Sequence, residues 1–278
     1  MSRSVALPDG ARIAFADSGE GSGPPVVFLH AFPLHSAMWS PQVEALAGRR
    51  RCVTPDARGF GGSTAGSARL TIDRMADDVA ALLDALAIER AVLVGLSMGG
   101  YAALAALRRH RDRIAALLLA DTRAAADSDE ARAKREALIA LAREEGSDAV
   151  AAKQVVGLLG KTTRRRDPEL VERVERLIAE AAPESIVAGA EALRDRPDAT
   201  PLLPTTGRTA DPAPGRPTCA PPRVAWRRTC GRWPSAESRS SGPSPSAVSP
   251  RSVRRPSAAS PRSARPPTGS ASAIRWAT

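Results

Sequence analysis

The chain has 278 residues and a formal net charge of +10 at pH 7, a length that holds one large α/β domain or two smaller ones. The charge is unevenly placed, because residues 205–278 hold 13 Arg and two acidic residues, whereas the two signs nearly cancel over residues 1–204. The basic excess therefore does not make the first 204 residues a nucleic-acid-binding domain.

Predicted strands and helices alternate through the first part of the chain. Short runs at residues 4–7 and 12–16 flank Pro8-Asp9-Gly10, which predicts a β-hairpin. Later apolar runs predict strands, and apolar residues at three-to-four spacing predict helices. Strand alternating with helix favours a parallel sheet with helices on both faces. The predicted strands are residues 25–29, 51–55, 91–95 and 114–120, and the predicted helices are residues 72–88 and 98–109.

From about residue 124 to residue 196 the pattern is helical only, with candidate helices at 131–143, 148–159, 168–181 and 183–193. A helical block after the sixth strand predicts a cap over a site at the end of the sheet. After Pro204 we predict no strand and no helix, because this segment is too poor in aliphatic side chains to offset the entropy of ordering. The expected domains are an α/β core (1–123), a helical cap (124–204) and a disordered tail (205–278).

A G-x-S-x-G pattern follows the predicted strand at 91–95, as Gly95-Leu96-Ser97-Met98-Gly99. This is the pattern of a nucleophile elbow, in which a Ser lies in a sharp turn between a strand and a helix. Gly95 and Gly99 leave the room that such a turn needs. The first N–H groups of the helix would face the oxyanion that develops on the substrate. The alternative is that Ser97 has no catalytic role and is a buried Ser in a structural turn.

Three segments together resemble the α/β-hydrolase family: His30-Ala31-Phe32-Pro33, the stretch from Asp56 to Ser63, and Gly95 to Tyr101. Residues 118–126 look like the subgroup that includes 3-oxoadipate enol-lactonases and related small esterases. The resemblance covers about residues 1–204. It implies a Ser-His-Asp hydrolase of esters or lactones, with Ser97 as nucleophile, the backbone N–H groups of Phe32 and Met98 as the oxyanion hole, and a helical cap. It implies no cofactor and no metal.

Ser rather than Asp at position 97 argues against the haloalkane dehalogenases and epoxide hydrolases of this fold, which use a carboxylate nucleophile. The family usually places its acid and its His late in the chain, here beyond Pro204. That region contains Asp211, Glu237 and no His. The departure predicts impaired catalysis in this chain.

Other residues could replace the missing groups only poorly. His30 in the oxyanion loop is a weak surrogate for the base, and Asp121 at the end of the sixth predicted strand is a weak surrogate for the acid. His35 lies on the loop rim, and His110 lies roughly 20 Å along the helix from Ser97 at ~1.5 Å per residue. We expect Asp56 and Arg58 to be structural, as a pair that holds their loop.

Three interpretations of residues 205–278 stay open. They could be an anion-binding extension, a Ser/Pro-rich linker without a specific role, or a coding sequence read in the wrong frame. We favour the third, since a GC-rich gene decoded out of frame yields Arg, Pro, Ser, Ala, Gly, Cys and Trp. The functional alternatives are accordingly a catalytically inactive hydrolase-like protein that binds a small acyl ligand, or a basic-tailed anion-binding protein.

The N-terminus has no apolar signal-peptide core, and no run approaches the ~20 apolar residues of a membrane span. We therefore expect a cytoplasmic protein with a small-molecule ester or lactone as its partner, and neither nucleic acid nor membrane. Cys52 opens a predicted strand and is expected to be a packed thiol. Cys219 and Cys230 lack the spacing of a zinc site.

Overall fold

The computed structural model describes residues 3–205 and 223–226. Except for those residues, the tail predicted to be disordered lies outside the described part of the chain. The described strands form one seven-stranded sheet in the order β1-β2-β4-β3-β5-β6-β7. The strands are β1 (Arg3–Ala6), β2 (Arg12–Ser18), β3 (Val26–Leu29), β4 (Cys52–Pro55), β5 (Ala91–Leu96), β6 (Ile114–Ala120) and β7 (Arg223–Trp226).

The sheet is antiparallel at one edge and parallel elsewhere. β1 and β2 form the predicted hairpin, β2 pairs antiparallel with β4, and β4, β3, β5, β6 and β7 are parallel. The central strands read as short apolar runs because both of their faces are covered, and Val27, Leu93 and Leu117 are buried there. The predicted parallel sheet is confirmed.

The helices are α1 (Ser40–Leu46), α2 (Ile72–Ala85), α3 (Met98–Arg109), α4 (Asp129–Leu158), α5 (Lys161–Arg166), α6 (Pro168–Ala179) and α7 (Pro183–Arg194). Thr71 caps α2 by accepting a hydrogen bond from the Arg74 N–H, as residues of this type do at helix starts. The predictions missed α1 and α5, which are too short to show helical periodicity. Two predicted helices are one element, α4, interrupted at Gly146, whose φ of 80° is not helical.

β7 corrects the prediction that no strand follows Pro204. Its backbone pairs in parallel with β6, from Ala116 opposite Arg223 to Leu119 opposite Trp226. The run has four residues and only Val and Trp as strand-favouring types, so it carries no alternation signal. The pairing partner, the open edge of β6, is a tertiary feature that the local sequence does not contain.

α2 packs on α3, and α3 packs on β3, β5 and β6. The helices from α4 to α7 form the helical segment (residues 124–205), in which α4 contacts α6 and α7. This segment meets the sheet region where Gly189 of α7 lies against the rings of Phe32 and Phe60, because a Cβ there would be 2.8 Å from Phe32 and 2.9 Å from Phe60. Among the described helices, none combines the length and apolar character that a membrane crossing requires.

Buried Arg196 joins the two ends of the helical segment. Its guanidinium lies 2.6 Å from Asp127 and donates to the carbonyl oxygens of Leu193 and Ala125. It also lies 4.1 Å from the centroid of the Tyr101 ring on α3. A buried cation needs such partners to offset its desolvation. The two ends of the helical segment are therefore fastened to each other.

Candidate active site

Ser97 lies between the end of β5 and the start of α3, with φ of 49° and ψ of −110°. A non-glycine residue in a sparsely populated region of this kind costs on the order of 1–3 kcal/mol and persists only where its surroundings hold it. Its N–H donates to the carbonyl oxygen of Ala120 on β6, at 3.0 Å. The strained turn is therefore anchored to the neighbouring strand.

The carbonyl oxygen of Ser97 is held from two sides. It accepts from the N–H groups of Gly100 at 2.9 Å and Tyr101 at 3.2 Å, and the Thr122 hydroxyl donates to it at 2.9 Å. A Cβ at Gly100 would lie 2.6 Å from the Thr122 side chain, so Thr122 fills that space. Sequence reasoning did not identify Thr122, because it contacts the turn from the next strand along the sheet.

Close backbone approach explains two of the glycines around this turn. A Cβ at Gly99 would collide with the backbone of Leu29, and one at Gly95 would collide with the backbone of Gly99. Distances of this kind leave no room for any side chain. Glycine at both positions thus lets α3 start directly against β3 and β5.

A cavity of ≈ 380 Å³ opens at the turn. Ser97, Phe32 and Asp121 contribute to its wall. Phe32 lies in the loop after β3, and Met98 directly follows Ser97 as the first residue of α3. Because β3 and β5 are parallel neighbours, both predicted oxyanion donors lie at the same edge of the sheet. Within the described residues, neither amide is engaged by a backbone acceptor, which leaves both N–H groups available to a ligand. The full lining is Ala31, Phe32, Leu96, Ser97, Asp121, Gly157 and Leu158.

His30 is buried and both of its ring nitrogens are occupied. The Ala57 N–H donates to Nε2 at 2.8 Å, so Nε2 carries no proton, and Nδ1 donates to the Ala31 carbonyl oxygen at 3.0 Å. Burial lowers the pKa of His30, which favours this neutral form. His30 therefore ties the oxyanion loop to the loop after β4, and it offers Ser97 no free nitrogen.

The other two of the three His residues are engaged elsewhere. Nε2 of His35 lies 2.9 Å from a carboxylate oxygen of Glu180, at the end of α6, but the angles there are not those of a hydrogen bond. His110 follows the last turn of α3 and lies 2.8 Å from Asp77 of α2. None of the described hydrogen bonds joins a His to Ser97.

Asp121 follows β6 directly and has a φ of 39°. Since Leu96 pairs with Ala120 in the parallel ladder, Ser97 and Asp121 are the next residues on adjacent strands. The structure thus brings Asp121 to the cavity that Ser97 lines, but no His lies between them in the described hydrogen bonds. Asp121 therefore has no His to orient, which is the role of the acid in a Ser-His-Asp triad.

Asp56 and Arg58 do not pair with each other, and the predicted pairing is wrong. Buried Asp56 accepts from the backbone N–H groups of Ser36 at 2.8 Å and Gly62 at 2.9 Å. Arg58 forms two hydrogen bonds, of 2.7 and 2.8 Å, with Asp78 of α2, and it also contacts Asp9. Both residues fasten loops, and Ser36 and Asp78 each lie 20 residues from their partner, too far along the sequence to be read locally.

No metal-binding cluster of His, Cys, Asp or Glu occurs among the residues that the structure describes. Cys52 is buried, and its burial raises the pKa of the thiol. Cys219 and Cys230 lie outside the described part.

The family model for the alpha/beta hydrolase fold matches residues 24–151. A thermophilic esterase from Thermogutta terrifontis is similar in structure with a TM-score of 0.68 and 40% identity, covering 74% of this chain and 76% of that one. The enol-lactonase from Burkholderia xenovorans is similar with a TM-score of 0.67 and 31% identity, covering 73% of this chain and 76% of that one.

Among curated proteins, epoxide hydrolase A of Mycobacterium tuberculosis is 37% identical over 112 residues, which are 39% of this chain and 35% of that protein. The matched stretches span about a third of the length of the first curated relatives. The sheet order, the strand–turn–helix at Ser97 and the match to the esterase over three quarters of both chains agree. The chain belongs to the α/β-hydrolase fold family.

Proposed function

We propose that the described part of this chain is the nucleophile half of a serine hydrolase for carboxylic esters or lactones. The observation that carries the proposal is the strained Ser97, held at the N-terminus of α3 and at the wall of a cavity. A strained backbone that several hydrogen bonds hold in place is typical of functional sites. Similarity to an esterase and an enol-lactonase supports the same substrate classes.

In this proposal the Ser97 hydroxyl oxygen attacks the carbonyl carbon of the substrate, and the bond to the alkoxy leaving group then breaks. The oxyanion accepts hydrogen bonds from the backbone N–H groups of Phe32 and Met98. Water takes the hydroxyl proton and supplies one to the departing alkoxide, because no His stands beside Ser97 among the described hydrogen bonds. Water later hydrolyses the acyl-Ser97 ester. A Ser hydroxyl side chain fits esters and lactones better than the carboxylate chemistry of epoxide opening.

Without a general base, turnover is slow. Oxyanion stabilisation and binding alone leave about 10³–10⁴-fold catalysis over water when a triad is removed. The alternative function, an inactive hydrolase-like protein that binds a small acyl ligand, is favoured by the hydrogen bonds that hold His30 and His110 elsewhere and by the position of His35 beside Glu180. The anion-binding alternative rests on residues outside the described part.

An activated ester separates these functions. A burst of product equal to the amount of protein, absent in Ser97→Ala, supports the acyl-Ser97 proposal. Saturable ester binding without a burst supports the inactive binder. The matched control is Ser128→Ala, a Ser on the helical segment outside the cavity.

We also retain as proposals the division into core (1–123), cap (124–204) and tail (205–278), and the out-of-frame origin of that tail. A shifted reading frame keeps the residues before the shift and changes all those after it, as expected for a resemblance that covers residues 1–204. Translating the coding DNA across codons 195–278 in three frames tests the out-of-frame origin. A frame that contains a strand pattern and a His supports it, and the lack of such a frame refutes it.

A further inference from the structure

The described wall of the cavity beside Ser97 carries a negative charge and no positive one. Among the described residues of its wall, Asp121 is the one charged side chain, and neither Lys nor Arg lines it. The remaining wall is apolar apart from Ser97, and includes Phe32, Leu96 and Leu158. A ligand here therefore meets a negative charge and no described cation.

The backbone fixes where this charge lies. Asp121 follows the strand residue that pairs with Leu96, and the Ser97 N–H bonds to the carbonyl oxygen of Ala120, directly before Asp121. Thr122, directly after it, donates to the Ser97 carbonyl oxygen. Since both neighbours of Asp121 are hydrogen-bonded to Ser97, the backbone of Asp121 is fixed beside the turn, and Asp121 contributes to the wall of the cavity that Ser97 lines.

A second negative charge in this cavity is unfavourable. Two like charges repel at short range, and apolar walls weaken the screening that water provides. Asp121 is solvent-exposed, so part of this repulsion is screened and the effect is moderate. Asp121 and Ser97 line the same cavity, so an ester held at Ser97 lies in the field of the Asp121 carboxylate.

We propose that the cavity selects small neutral esters and lactones and disfavours those that keep a free carboxylate, with Asp121 as the residue that determines this specificity. The expected difference in acylation rate rests on the proposed function, in which Ser97 is the nucleophile. The expected difference in binding depends only on the cavity and its charge.

The kinetic test compares p-nitrophenyl butyrate, which is neutral, with mono-p-nitrophenyl succinate, which is similar in length and anionic. We expect the ratio of anionic to neutral acylation rates to rise about fivefold in Asp121→Asn, and the native ratio to rise in 0.5 M salt. Asn tolerates a positive φ better than most residues, so this variant keeps the turn. Glu144→Gln, which removes one exposed negative charge outside the cavity, should leave the ratio unchanged.

The binding test uses Ser97→Ala protein, so it needs no turnover. Dimethyl succinate should raise the melting temperature more than monomethyl succinate, and adding Asp121→Asn should remove most of that difference. Equal ratios in native and Asp121→Asn protein, or no difference between the two ligands, would overturn the proposal. If the two ligands bind differently to Ser97→Ala protein but native protein shows no acylation, the role of Asp121 is supported and Ser97 is refuted as the nucleophile.

Discussion

The buried neutral His30 makes the stability of the protein depend on pH. In the folded state the Ala57 N–H occupies Nε2 and the Ala31 carbonyl oxygen faces Nδ1, so a proton on Nε2 must break the first bond. Burial lowers the folded-state pKa of His30, whereas the unfolded chain has an ordinary value of about 6.5. Stability from this group is therefore complete above pH 6.5 and is lost as the pH falls below it.

The size of the loss follows from one bound proton. Each pH unit below about 6.5 costs up to about 1.4 kcal/mol until the lowered pKa is reached, so the change from pH 6.5 to pH 5.5 costs at most about 1 kcal/mol. Urea unfolding at pH 7.0, 6.0 and 5.5 measures it. His30→Gln should be less stable at pH 7 by about 1–3 kcal/mol, through lost contacts, yet less sensitive to acid over this interval.

His110→Gln is the matched control, because His110 lies half-exposed beside Asp77. Its pH dependence between pH 7.0 and 5.5 should keep the component that His30→Gln removes. If His30→Gln shows the same acid sensitivity as the native protein, His30 is not held neutral, and the argument against it as the base for Ser97 fails.

Three further predictions concern the turn, the helical segment and a surface ion pair. Thr122→Val should slow acylation of Ser97 about fivefold through the lost hydrogen bond, and Thr122→Ser should restore most of the rate; equal rates in both would show that the hydroxyl does not matter. Gly189→Val should destabilise by about 1–3 kcal/mol in thermal unfolding, because its side chain would overlap Phe32; an unchanged melting temperature would refute that packing. Arg194 lowers the pKa of Asp195 to about 2, so Asp195→Asn should remove about 1 kcal/mol of stability at pH 7, after discounting for exposure, and almost none at pH 2; a loss that persists at pH 2 would have another cause.

Local sequence was sufficient where the structure is local. The turn at Ser97 was predictable because the strand, the turn and the helix are consecutive in the sequence. Glycine at positions 95 and 99 also indicates that backbones approach closely there. The partner of Arg58 was not predictable, since Asp78 lies 20 residues further on α2. Likewise, Ala57 binds His30 across 27 residues, so only the fold shows that this His is occupied.

The edge of the sheet and the charge of the cavity were also beyond local reading. β7 has no alternation of its own and forms because β6 presents unpaired backbone groups. Asp121 appeared in sequence only as a weak substitute for a catalytic acid. Its position beside Ser97, without an opposing cation in the described wall, depends on the register of β5 against β6.

The central claim is that Ser97 is a nucleophile without its general base. Intact-protein mass spectrometry after incubation with p-nitrophenyl butyrate at pH 7, followed by peptide mapping, tests it most directly. We expect one butyryl group per chain, located on Ser97 and formed slowly. The adduct should outlast the incubation, because deacylation also lacks a base. An unmodified Ser97, or the same adducts on native and Ser97→Ala protein, would contradict the claim.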